Sequence, residues 1–205
     1  NVMKEFWNQR FSQDEYVYGT EPNEYLKEKL SLLPGGDILL PAEGEGRNAV
    51  FAAKTGWKVT AFDQSSEGKK KALLLADKHN VSIDYRVHDV ENAEFASESF
   101  DVVALIYTHF PESNRRNYHR KLCSYIKKGG TLILEGFSKA HVAFQAVNPK
   151  AGGPVDVSLL YDVEALMQDF DEIDIQEACQ TETILHEGEN HKGSASVVRI
   201  TGIKK

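Results

Sequence analysis

Short apolar runs alternate with amphipathic stretches along most of this chain. Residues 37–40, 58–62, 82–87, 100–106 and 131–134 have the length and apolar content of strands. Between them, residues 48–55, 66–79 and 115–126 repeat their apolar positions at helical spacing. Gly56 ends the first of these helices and Ser65 caps the second. Lys127-Lys128-Gly129-Gly130 ends the third. The run 100–106 is almost wholly apolar, which predicts a central strand buried on both faces. Strand and helix in alternation call for a parallel sheet covered on both sides. Upstream, residues 3–12 and 21–33 read as helices, the second opened by Pro22 and stopped by Pro34-Gly35-Gly36. Downstream the pattern changes. Residues 138–157 carry Pro149, Gly152, Gly153 and Pro154 and read as a loop with one helical turn near Ala143. Residues 161–170 read as a helix. Residues 173–185 and 194–203 form two long strands around Glu187-Gly188-Glu189-Asn190, an antiparallel hairpin.

Composition narrows the class. With 205 residues the chain suits one α/β domain, 1–205, with 1–34 as a helical preface. Hydrophobic residues make up 41% and charged residues 27%, which excludes a disordered chain. A net charge of −7 is a poor match to duplex nucleic acid. No apolar run has the length of a membrane span, and the opening residues lack the apolar core of a secretory leader. Cys123 and Cys179, far apart, suggest neither a disulfide framework nor a zinc cluster. A reducing cytoplasm is the expected compartment.

The candidate chemistry begins after the first strand. Gly44-x-Gly46-x-x-Ala49 fits G-x-G-x-x-G/A, and Asp63 ends the next strand 19 positions after Gly44. Glycine allows the tight turn and lets a ligand approach the backbone, and an acid at that strand end can accept from two ribose hydroxyls. A plain strand-to-helix turn is the alternative. Glu43 and Glu45 flank Gly44, with Arg47 as the local counter-charge. Carboxylates there would repel a pyrophosphate. S-adenosylmethionine has no phosphate and carries a sulfonium and an ammonium, so the acidic loop suits it better; solvated glutamates are the other reading. Asp89 and Val90, after the third strand, are placed to meet adenine, unless Asp89 only caps a turn. Asn48, Gln64, Ile106 and Tyr107 complete the expected cofactor contacts.

These residues carry a resemblance. The chain resembles the class I S-adenosylmethionine-dependent methyltransferases, which implies a doubly wound, mostly parallel seven-stranded sheet with an antiparallel last strand. More narrowly it resembles the tellurite-resistance and thiopurine methyltransferase-like group. That likeness rests on Trp7-Asn8-Gln9-Arg10-Phe11, Tyr18-Gly19-Thr20-Glu21-Pro22-Asn23, the loop 43–49, Val59-Thr60-Ala61-Phe62-Asp63 and Gly188-x-x-His191-x-Gly193. Two positions depart from the family's Asp-Leu-Gly-Cys-Gly loop. Leu40 stands in place of the acid and Ala42 in place of the first glycine.

The acceptor should approach the carboxyl ends of the strands. The fourth strand runs into Ile106-Tyr107-Thr108-His109-Phe110-Pro111, which lacks the Asn/Asp-Pro-Pro-aromatic tetrad of enzymes that methylate base amines. His109 is the general-base candidate because it ordinarily titrates near neutrality, with a structural histidine as the alternative. The resemblance implies that Trp7 and Tyr18 lie in an N-terminal lid; a core cluster is the other reading. A metal at His186–His191 is not expected, and Lys69–Lys71 and Asn114–Arg116 read as solvated helix faces. The expected substrate is a small molecule with an oxygen, sulfur or heavier chalcogen nucleophile. An NAD(P)-dependent oxidoreductase and a non-catalytic S-adenosylmethionine-binding protein are the rivals.

Overall fold

The computed structural model describes residues 2–205; Asn1, the first residue of the expected 1–34 preface, lies outside the described residues. In chain order the elements are α1 (Val2–Phe11), α2 (Glu24–Ser31), β1 (Asp37–Pro41), α3 (Arg47–Lys54), β2 (Lys58–Asp63), α4 (Ser66–Lys78), β3 (Asp84–Val87) and β4 (Phe100–Ile106). There follow α5 (Glu112–Cys123), β5 (Ile126–Phe137), α6 (His141–Val147), α7 (Val163–Met167), β6 (Ile173–His186) and β7 (Lys192–Lys204). The seven strands form one sheet in the order β3-β2-β1-β4-β5-β7-β6. Strands β1 to β5 are parallel, and β7 enters antiparallel between β5 and β6.

Alternation along the strands makes two cores. Leu39, Val103, Leu105, Leu132, Leu134 and Ile200 point to one face, where Leu122 of α5 and Leu166 of α7 cover them. Ile38, Leu40, Val102, Ala104, Ile106 and Ile133 point to the other, against Leu26 and Leu30 of α2 and Ala49 and Ala52 of α3. Burial of β4 on both faces explains its lack of polar positions. The strand order reverses between β1 and β4, and in such sheets the crevice at the carboxyl ends of those strands is where ligands bind.

Several elements differ from the sequence reading. Helix α2 begins at Glu24 because Asn23 caps it, its side chain accepting from the Leu26 amide at 3.0 Å. Helix α5 stops at Cys123, and Ile126 already pairs with Phe100 in the sheet. The segment Lys127–Gly130 is a bulge in β5, not a helix end, since pairing resumes at Val102 with Thr131. Helix α7 is short because Tyr161 extends the sheet end instead, its amide donating to the Phe137 carbonyl at 2.9 Å. The expected loop 138–157 contains α6, fastened where His141 meets the Gly152 carbonyl at 3.0 Å and accepts from the Ser196 amide at 3.2 Å.

Two basic stretches are less solvated than their composition suggested. Lys71 is buried, paired with Glu45, and lies 4.7 Å from the Tyr16 ring centre. Arg115 pairs with the buried Asp169 at 2.7 Å. Long-range partners, invisible to helical periodicity, draw both cations inward. Among the described residues no helix is long and apolar enough to cross a membrane.

Gly46 has φ of +87°, and a Cβ there would stand 2.5 Å from the Ala72 Cβ of α4. Gly46→Ala is therefore expected to cost about 2–4 kcal/mol, from left-handed strain and overpacking together. Urea unfolding checks this, and an unchanged midpoint would contradict it.

Candidate active site

The loop after β1 turns back through three residues with positive φ: Ala42 (+52°), Gly44 (+62°) and Gly46 (+87°). Ala42 thus keeps the left-handed turn of the glycine it stands for, at a cost of about 1–2 kcal/mol. Asp63, at the end of β2, closes the loop from the far side. One carboxylate oxygen accepts from the Gly44 amide at 2.9 Å, and the other accepts from the Ser65 amide at 2.9 Å. Burial pushes Asp63 up to about 6 against those hydrogen bonds.

The loop's glutamates are both engaged by the protein. Glu43 accepts from the Ala49 amide and so occupies the start of α3. Burial pushes its carboxyl up to about 8, opposed by that amide and by Arg47. Glu45 accepts from the Val17 amide at 2.8 Å and pairs with Lys71, which binds the N-terminal segment and α4 to the loop. Burial raises Glu45 and Lys71 opposes the shift. Gln64 stands half-buried beside Asp63. Asn48 sits in the first turn of α3, its side-chain oxygen accepting from the Asn23 amide at 2.9 Å. Asp89 caps a turn through the Asn92 amide at 2.8 Å, and Val90 is buried in the core below.

Ile106 is buried at the end of β4, and Tyr107 follows with φ of +53°. The Tyr107 ring stacks on Phe137 at 4.7 Å, and Phe137 ends β5. His191, from the turn between β6 and β7, completes an aromatic wall, with ring centres 4.7 Å from Tyr107, 5.1 Å from Phe137 and 4.3 Å from Tyr18. His191 is only 5% exposed, and its Nδ1 has no hydrogen-bond partner. Burial, then Arg47, hold it well below the usual histidine range.

His109 stands differently. Its Nδ1 donates to the Leu159 carbonyl at 2.7 Å, so its Nε2 accepts from the Phe137 amide at 3.2 Å. Burial lowers it to about 4. With both ring nitrogens taken, it has no free lone pair for a proton from an acceptor. In place of the expected base, the geometry shows a histidine bracing the end of β5.

Trp7 and Tyr18 lie apart. Trp7 stacks on Phe11 at 5.3 Å, while Phe11 is buried against Gly44 and Gly68. Asn8 on the same helix accepts from the Ser65 hydroxyl at 2.7 Å. Tyr18 faces His191, and Gly19 approaches Gly188 so closely that a Cβ on Gly188 would meet the Val17 carbonyl at 2.5 Å. Residues 16–23 therefore form a strap between the loop after β1 and the β6–β7 turn. Glu135, Arg199, Glu187 and Asn23 also converge at this end of the sheet and were not anticipated. A carboxylate at Glu135, directly after the apolar run Leu132-Ile133-Leu134, was the available signal. Among the described residues no group of three or more His, Cys, Asp or Glu is arranged to hold a metal ion.

Comparison with known proteins agrees with this geometry. Residues 38–130 match the methyltransferase domain family. The ubiquinone biosynthesis O-methyltransferase of Xanthomonas campestris pv. campestris is 33% identical over 126 residues, 59% of this chain and 51% of that protein. The chain thus spans about half the length of the curated relatives it matches. The structure of TehB from Haemophilus influenzae superposes with a TM-score of 0.71 at 13% identity, covering 98% of this chain and 67% of that one. Magnesium protoporphyrin IX methyltransferase from Synechocystis PCC 6803, solved with bound SAH, gives 0.69 at 14% identity, covering 100% and 98%. Residues 38–130 are thus similar to a methyltransferase domain, and the seven-stranded sheet shares its fold with these solved methyltransferases. The narrower likeness, to TehB, is one of fold along nearly the whole chain.

If Asp63 receives the ribose hydroxyls of S-adenosylmethionine, as expected from its place at the end of β2, its carboxyl must ionise first. Binding would then be coupled to loss of the Asp63 proton, which burial pushes up to about 6. Affinity for S-adenosylhomocysteine is expected to be level above about pH 7 and to fall about tenfold per pH unit below 6. Calorimetry between pH 5 and 8 measures this; a level profile across that range would detach Asp63 from the ligand.

Proposed function

We propose that this chain transfers the methyl group of S-adenosylmethionine to a small acceptor held against Tyr18, Tyr107, Phe137 and His191. The observation that carries the reading is the Glu43 carboxylate on the Ala49 amide. A dinucleotide needs the amides at a helix start for its pyrophosphate. Here the protein's own acid takes that place, which speaks against a nicotinamide cofactor. The donor asks for less: ribose hydroxyls on Asp63, adenine between Asp89, Val90 and Ile106, and its amino-acid end along Ala42–Gly46.

Methyl transfer is an in-line displacement at carbon, so positioning and exclusion of water do most of what the protein must do. The aromatic wall lies at the ends of β4 and β5, next to the donor loop after β1, on the acceptor's side. The strap 16–23 acts as the lid on the acceptor side, while Trp7, stacked on Phe11, covers the loop at Gly44. An oxygen or sulfur nucleophile suits the wall, and oxygen is the acceptor named for the curated relatives. Arg10 lies 5.9 Å from the Tyr18 ring centre and donates to its hydroxyl at 3.4 Å, so a cation stands beside the wall and suits an acceptor that reacts as an anion. No nucleic acid partner is part of this reading, and two free cysteines speak for a reducing cytoplasm.

Calorimetry with S-adenosylhomocysteine and with NADH tests the cofactor. Binding of the first and not the second is expected, and Asp63→Ala should weaken it roughly ten- to a hundredfold, the loss of charge-assisted bonds of about 1.5–3 kcal/mol. Release of S-adenosylhomocysteine in a panel of phenols and thiols should then follow. Binding of NADH alone would overturn the proposal.

A further inference from the structure

Glu135 is 1% exposed, near the carboxyl end of β5, with three side-chain partners. One oxygen accepts from Arg199 Nε at 2.6 Å. The other accepts from the Tyr107 hydroxyl at 2.6 Å and from Asn23 Nδ2 at 2.7 Å. The Glu135 carbonyl also accepts from the Tyr107 amide at 2.7 Å. One residue therefore holds Tyr107 by its main chain and by the far end of its ring. Tyr107 needs such a hold, because its φ of +53° places a bulky side chain in the left-handed region.

Asn23 carries the connection onward. Its Nδ2 also reaches Glu187 at 3.2 Å, and Glu187 pairs with Arg47 of α3 at 2.5 Å. Its main-chain amide donates to Asn48 of the same helix. Two carboxylates and two guanidiniums are thus buried or half-buried around one carboxamide, with opposite charges in equal number. Such a network is stable only when complete, since removing one member leaves a charge without its partner. Its members come from the strap, the first turn of α3, the ends of β4 and β5, the β6–β7 turn and β7 itself.

We infer that Glu135 is a positioning residue for methyl transfer: through Tyr107 it sets the wall beside the donor, and through Asn23 it makes closure of the strap depend on that wall. The inference rests on the methyltransferase reading of the same site. Occupancy of the donor loop presses on Tyr107 and on the start of α3, and both are tied to Asn23. Donor binding and ordering of residues 16–23 are then a single event.

A double-mutant cycle tests this, with Glu135→Gln and Tyr107→Phe read by calorimetry against S-adenosylhomocysteine. Each single variant is expected to weaken binding about tenfold. The double variant should lose less than the product of the two single losses, because the Tyr107–Glu135 bond is common to both. Effects that multiply would mean that Glu135 does not act on binding through Tyr107, and that result overturns the inference. Hydrogen exchange supplies the second readout. Amides 17–23 should slow on ligand binding in the parent protein, and Tyr107→Phe should lose most of that slowing. Should Glu135→Gln not fold, the exchange comparison on Tyr107→Phe still decides: full slowing in that variant contradicts the coupling. A parent protein that binds no S-adenosylhomocysteine would instead sink the methyltransferase reading.

Discussion

The Glu43 carboxylate on the first turn of α3 constrains everything around it. It satisfies an amide that would otherwise point at a ligand phosphate, and it pins the turn through Ala42, Gly44 and Gly46. The turn presents the Gly44 amide to Asp63 at the end of β2, and the strand order reverses beside this loop, between β1 and β4. Because Glu43 sits on the Ala49 amide and Glu45 pairs with Lys71, the loop does not present a bare acidic field. It offers shape, one buried carboxylate and backbone groups. That differs from the acidic-loop argument made on the sequence alone, although both arrive at a ligand without phosphate.

The second constraint is the crowding of the strap. Gly188 admits the Val17–Gly19 backbone at a distance that no side chain would allow, and Gly152 does the same for the Asn190 carbonyl. These approaches bring Tyr18 onto His191 and Asn23 onto Glu135. The aromatic wall is therefore built from segments far apart in the chain, while the loop 42–46 and Asp63 belong to one βαβ unit.

That division explains what the chain revealed when read as a string. The loop after β1 and its tie to Asp63 were legible, because Gly44, Gly46 and Asp63 lie on consecutive elements whose spacing follows from the sheet. The apolar alternation of β4, with Val102, Ala104 and Ile106 on one face and Val103 and Leu105 on the other, was legible for the same reason. The aromatic wall was not. His109 looked available because periodicity does not show that Leu159 and Phe137 take both its nitrogens. Lys71 and Arg115 looked solvated because Glu45 and Asp169 are distant in sequence. The length of β5 was hidden by Gly129-Gly130, which signal a helix end as readily as a bulge.

A crystal structure of the complex with S-adenosylhomocysteine tests the central claim most directly. The account predicts ribose hydroxyls on the Asp63 carboxylate, with Glu43 still on the Ala49 amide and the thioether sulfur facing the wall of Tyr107, Phe137 and His191. A ligand that displaces Glu43 from the start of α3, or that sits away from Asp63, would contradict it.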